Sequence, residues 1–101
     1  MKKLLLLGIL STWISAQDSS LDKTFASMNK GDFKNALSYL EIVINNDSKN
    51  PELFQLKGML YESLNDENNA LQAWKECKRL SNNNSLILEA NNHIQLLKQL
   101  K

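Results

Sequence analysis

The chain has 101 residues, 43% of them apolar and 23% charged, with 12 Lys and Arg against 11 Asp and Glu. These proportions fit one globular domain and exclude a disordered tail or a membrane bundle. With only 3 Gly, 1 Pro and 1 Cys, the chain lacks the turn texture of an all-β sandwich and cannot form an internal disulfide framework, so long helices held by packing are expected.

Residues 1–16 read as a secretory leader. Lys2 and Lys3 form a cationic start, Leu4 to Leu10 an apolar stretch extended by Trp13 and Ile14, and Ser15-Ala16 a small-residue cleavage point before Gln17. Leu4 to Ile14 spans 11 residues, whereas a membrane-crossing helix needs about 20. No cysteine follows the stretch to accept a lipid. The expected mature chain, residues 17–101, is exported to the bacterial periplasm or beyond the cell and has no membrane span. It carries 10 basic and 11 acidic residues. No basic field remains to draw in phosphates, so neither nucleic acid nor anionic lipid is expected as a ligand.

After the leader, Leu21, Phe25 and Met28 recur at steps of four and three, predicting a helix that ends at the turn Gly31-Asp32. Phe33, Ala36, Leu37, Leu40, Val43 and Ile44 predict a second helix, closed by the polar run Asp47 to Asn50. Asn50-Pro51-Glu52 is a helix start: the Asn side chain can cap free amides, Pro suits the first helical position, and Glu complements the positive helix end. Phe54, Gly58, Tyr61 and Leu64 then mark one buried face. Asn65-Asp66 interrupts them and can cap a fourth helix with the stripe Ala70, Leu71, Trp74 and Cys77. A last helix, within residues 85–101, places Ile87, Ala90, Ile94 and Leu97 on one face, with Leu86 and Leu100 beside it and Lys98 and Lys101 suiting its negative end.

Residues 17–50 and 51–84 repeat one another with a period of 34. Gly31-Asp32-Phe33 faces Asn65-Asp66-Glu67, Ala36-Leu37 faces Ala70-Leu71, Leu40 faces Trp74, and Val43 faces Cys77. In order, Phe54, Gly58, Tyr61, Asn65, Ala70, Trp74 and Cys77 fill the slots of a pattern of large, small and turn residues that resembles the tetratricopeptide repeat family. The sequence departs from that pattern at Glu67, which replaces the turn aromatic. Ser48 and Asn82 replace the closing proline, and Thr24 and Ser27 stand at the small and large slots of the first unit.

The resemblance implies an all-α, right-handed α-solenoid of two helix-turn-helix units, 17–50 and 51–84, closed by a capping helix at 85–101. It also implies a non-enzymatic protein-binding module. In that family the first helix of each unit lines a groove, which here would be formed by Leu21, Phe25 and Met28 beside Glu52, Gln55, Met59 and Glu62. That groove would be apolar at one end and acidic at the other, suited to an extended or helical segment of another protein. The family's clamp for a peptide carboxylate uses Lys and Asn where this chain has Leu21, Phe25, Gln55 and Met59, so that specificity is not expected. Alternatively, Leu21, Phe25 and Met28 pack against the second helix of their own unit, or the apolar face of unit one joins two copies into a homo-oligomer or a larger envelope assembly.

Chemistry finds little support in the residue inventory. His93 is the one histidine and sits beside Asn91 and Asn92, where it reads as a surface residue. Cys77, next to Lys78, occupies a slot that the repeat buries. One histidine and one cysteine cannot complete a zinc site. Neither a cofactor, a metal nor a catalytic group is expected.

Overall fold

A computed structural model describes residues 19–100. The expected leader, residues 1–16, lies outside them. The described chain is compact and all-helical: α1 over 19–29, α2 Phe33–Asn46, α3 Pro51–Ser63, α4 Glu67–Leu80 and α5 Asn84–Gln99. There is no strand among the described residues. Nor is any of these helices long and apolar enough to cross a membrane.

The turns after α1 and α3 are built from the same bonds, 34 residues apart. Gly31 and Asn65 both adopt left-handed backbone, at φ 76° and 58°. In the first turn, the Gly31 amide donates to the Met28 carbonyl at 3.0 Å and the Asp32 amide to Ser27 at 2.8 Å. In the second, Asn65 donates to Glu62 at 3.0 Å and Asp66 to Tyr61 at 2.9 Å. These bonds occupy carbonyls that a helix end would otherwise leave unpaired. Each turn then hands over to an aspartate cap. Asp32 accepts from the Asn35 amide at 3.3 Å, and Asp66 accepts from the Asn69 amide at 3.2 Å. The Asn35 and Asn69 side chains donate to the second carboxylate oxygen of the same caps, at 2.6 and 2.7 Å. Asparagines start α3 and α5: Asn50 accepts from the Glu52 amide at 3.0 Å, and Asn83 from Ser85 at 2.9 Å and Leu86 at 3.2 Å.

Packing divides into two clusters. Ala36, Leu40, Ile44, Leu53 and Leu60 are buried between α2 and α3, with Met28 of α1 packed against them. Ala70, Leu71, Trp74, Cys77, Ala90, Ile94 and Leu97 form the second cluster, between α4 and α5. Phe54 touches both and joins them. The expected face of α3, Phe54, Gly58, Tyr61 and Leu64, is therefore only part of what that helix buries. α3 lies between two neighbours, so Leu53 and Leu60 face the first cluster, Tyr61 faces the second, and Phe54 lies against both. Thr24, at the small slot of the first unit, is fully buried and satisfies its hydroxyl on the Ser20 carbonyl at 2.8 Å.

Candidate functional site

Three helix stripes follow the same 34-residue step. Leu21, Phe25 and Met28 of α1 correspond to Gln55, Met59 and Glu62 of α3, and these to Glu89, His93 and Leu96 of α5. Spacings of four and three place each trio on one side of its helix. Glu52 extends the α3 stripe by one turn, and Leu86 and Leu100 extend that of α5.

The α3 and α5 stripes meet directly. Gln55 Nε2 donates to Glu89 Oε2 at 2.8 Å, and His93 Nδ1 lies 2.7 Å from Glu62 Oε1. Near the start of both helices, Glu52, Gln55, Asn83, Ser85, Leu86 and Glu89 line an open depression of about 240 Å³. At the other end Leu97 and Leu100 sit with Glu62, Asn65 and Glu67 around a second one of about 230 Å³. Met59, between the two tied positions of α3, stays 42% exposed, and Leu96 on α5 is 60% exposed.

The α1 stripe is divided. Met28 packs into the first core cluster, Leu21 is half-buried, and Phe25 remains 47% exposed. Of the sequence-derived groove residues, then, Glu52, Phe25 and Met59 are open to solvent. Gln55 and Glu62 are engaged by α5, and Met28 packs against the first core cluster.

His93 is not the surface residue expected from its asparagine neighbours. Its side chain is 29% exposed, and its ring stacks on the Trp74 indole with centroids 4.0 Å apart and planes 13° from parallel. The imidazole covers the indole with its flat side and reaches Glu62 with its polar edge. Together with Glu89 and Leu96 it belongs to a surface that stopping at two units leaves out. One further step of 34 residues from Gln55, Met59 and Glu62 is the signal that finds all three.

Cys77 is fully buried, and burial, followed by the negative charge of Glu89, pushes its thiol up to about 11. It is therefore held as the neutral thiol, in the small slot expected of it. Trp74 Nε1 is buried without a hydrogen-bond partner. Among the described residues, no group of three or more His, Cys, Asp or Glu side chains is placed to hold a metal ion.

Neither a protein-family model nor a curated protein matches the chain.

The charges around the α3 and α5 stripes are segregated. Lys57 of α3 turns away and pairs with Glu41 of α2 at 2.8 Å. Lys23 of α1 lies over the Tyr39 ring of α2, 5.7 Å from its centroid. Arg79 pairs with Glu76 within α4, and its guanidinium holds that carboxyl below the ordinary value. The stripes of α3 and α5 hold Glu52, Glu62 and Glu89 and no Lys or Arg.

Proposed function

We propose that residues 17–101 form a short, exported array of two tetratricopeptide-type units and a covering helix, and that it binds a segment of another protein without catalysing a reaction. The observation that carries this reading is the pair Phe25 and Met59. They are large apolar side chains at equivalent positions 34 residues apart, 47% and 42% exposed, on helices whose other apolar residues are largely packed away. Fully burying a side chain of this size is worth roughly 1.5–3 kcal/mol, so a partner that covers both recovers free energy the isolated domain forgoes. The recurrence of the turn and cap bonds at the same step supports a repeat array, because it fixes α1 on α2 and α3 on α4 by one local geometry. Peptide recognition on such a face uses apolar anchors at helical or extended spacing.

The test is a photoreactive side chain introduced at Phe25 and, separately, at Met59, followed by crosslinking in intact cells. Both positions are expected to capture the same partner. Phe25→Asp and Met59→Asp, each shown to remain helical by circular dichroism, are expected to lose it. Retention of every captured partner by both folded variants would overturn the reading.

A further inference from the structure

The charges beside Met59 select among the segments such a surface could hold. Glu52 has no ion-pair partner among the described residues, and Glu89 accepts only the neutral amide of Gln55. These two carboxylates border the depression between α3 and α5, with Leu86 as its apolar wall. Glu62, further along, meets only the imidazole of His93. The nearest cationic side chain on α3, Lys57, is committed to α2. The surface thus offers exposed apolar contacts at Met59 and Leu96 beside carboxylates that no Lys or Arg pairs with among the described residues.

We infer that the occupant of the α3–α5 surface is a cationic amphipathic peptide segment, with an apolar side chain on Met59 and Leu96 and a lysine or arginine seated between Glu52 and Glu89. This rests on the protein-binding reading and adds the chemistry of the partner. A carboxylate left facing a partner's acidic residue would be repelled and desolvated, whereas a basic residue brings charge-assisted hydrogen bonds to two acceptors at once. Arginine suits the site better than lysine, since Glu52, Glu89 and Leu86 border one depression and its planar fork offers several donors to carboxylates while its stem can lie on an apolar wall. An acidic or purely apolar segment would leave both carboxylates uncompensated.

The experiment is selection of a randomised peptide display library on three folded proteins: wild type, the pair Glu52→Gln with Glu89→Gln, and Met59→Asp. Wild type is expected to enrich peptides in Lys and Arg well above the starting library, with apolar residues near them. The selected peptides, synthesised and titrated, are expected to bind the double Gln variant at least about tenfold more weakly, the equivalent of about 1.4 kcal/mol. Their affinity for wild type is expected to fall as salt is raised. Met59→Asp is expected to enrich nothing. If the enriched pool is no more basic than the library, or the double Gln variant binds it equally well, while Met59→Asp still abolishes binding, the charge inference is overturned and the binding surface stands. If wild type enriches nothing, or Met59→Asp binds as well as wild type, the surface itself is overturned.

Discussion

Gly58 on α3 lies so close to the indole of Trp74 on α4 that a β-carbon added there would stand 2.7 Å from Nε1 and 2.8 Å from Cε2. The glycine is the space into which the tryptophan fits. His93 stacks on that indole, and Trp74 has no exposed surface, so the ring has little freedom to retreat.

Replacing a glycine in a helix by alanine ordinarily gains about 1 kcal/mol. Overpacking a tight site costs about 1–3 kcal/mol, and at Gly58 the obstruction is a rigid ring. Gly58→Ala is therefore expected to lower the urea midpoint. The same substitution in a Trp74→Phe background is expected to cost less or to stabilise, because the smaller ring vacates the contested volume. A single Gly58→Ala variant more stable than wild type would show that the two helices are not in this contact.

Trp74 is the largest fully buried side chain and belongs to the cluster that joins α4 to α5. Trp74→Ala is expected to cost about 3–5 kcal/mol. A domain of this size has roughly 4–12 kcal/mol in all, so the variant is expected to be largely unfolded or close to it at 37 °C. Trp74→Phe is expected to fall between the two, since it removes the Nε1 donor that has no partner as well as part of the ring. Thermal melts of the three proteins give the order directly. Melting of Trp74→Ala within a degree or two of wild type would contradict the packing.

What the sequence reveals here depends on how far apart the cooperating residues lie. Asn50 before Pro51, Asp32 after Gly31 and Asp66 after Asn65 announce helix starts because a cap is decided by the next three residues. The apolar steps of α4 are legible for the same reason. Leu53 and Leu60 are not on the face expected for α3, because that face depends on there being a helix on each side. His93 is harder still. Its partners, Trp74 and Glu62, belong to two other helices, and its immediate neighbours are asparagines, so local pattern places it on the surface. At the candidate site, Phe25 and Met59 follow from the period, whereas Glu89 and Leu96 appear only when the period is carried into α5. The charge segregation depends on which way Lys23 and Lys57 turn, and spacing alone does not give that.

The matched turns allow a comparison within one molecule. Asp32→Ala and Asp66→Ala each remove a cap that accepts a backbone amide, and each is expected to cost about 0.5–2 kcal/mol. The caps serve different helices, so the double variant is expected to show the sum within about 0.5 kcal/mol. Gly31 and Asn65 are expected to diverge. Gly31→Ala forces an alanine into left-handed backbone at a cost of about 1 kcal/mol, whereas Asn65→Gly relieves that constraint and is expected to be neutral or mildly stabilising. Denaturant titrations of the five variants check these outcomes, and tolerance of Gly31→Ala without loss would exclude the positive φ at that turn.

Cys77 gives a pH dependence with a definite sign. Its ordinary value is 9.0 and the folded protein raises it to about 11, chiefly by burial. Between these two pH values the unfolded chain has released the thiol proton and the folded chain has kept it. Rising pH therefore favours unfolding across that window, while below it the contribution is constant. Cys77→Ala is expected to lose less stability than wild type between pH 9 and 11. Iodoacetamide at pH 8 is expected to label the thiol slowly in buffer and rapidly in urea. Equal rates in both would mean that the thiol is not enclosed.

The contact of His93 with Trp74 and Glu62 separates two contributions of one ring. The side chains of His93 and Glu62 are 29% and 28% exposed, so solvent still screens their interaction. A coupling of about 0.5–1 kcal/mol is expected from a double-mutant cycle of His93→Ala with Glu62→Ala. Stacking on the indole adds about 0.5–1.5 kcal/mol that depends only on the imidazole, so His93→Ala is expected to cost more than Glu62→Ala. The indole reports the difference. Removing the ring uncovers Trp74 and is expected to shift its fluorescence to longer wavelength, whereas removing the Glu62 carboxylate leaves the stack in place and the emission nearly unchanged. Equal costs with no spectral shift in either variant would mean that α5 does not rest on Trp74 through His93. The third stripe would then lose the contact that fixes its register against α3, leaving Gln55 and Glu89 as the only polar tie shown between the two helices.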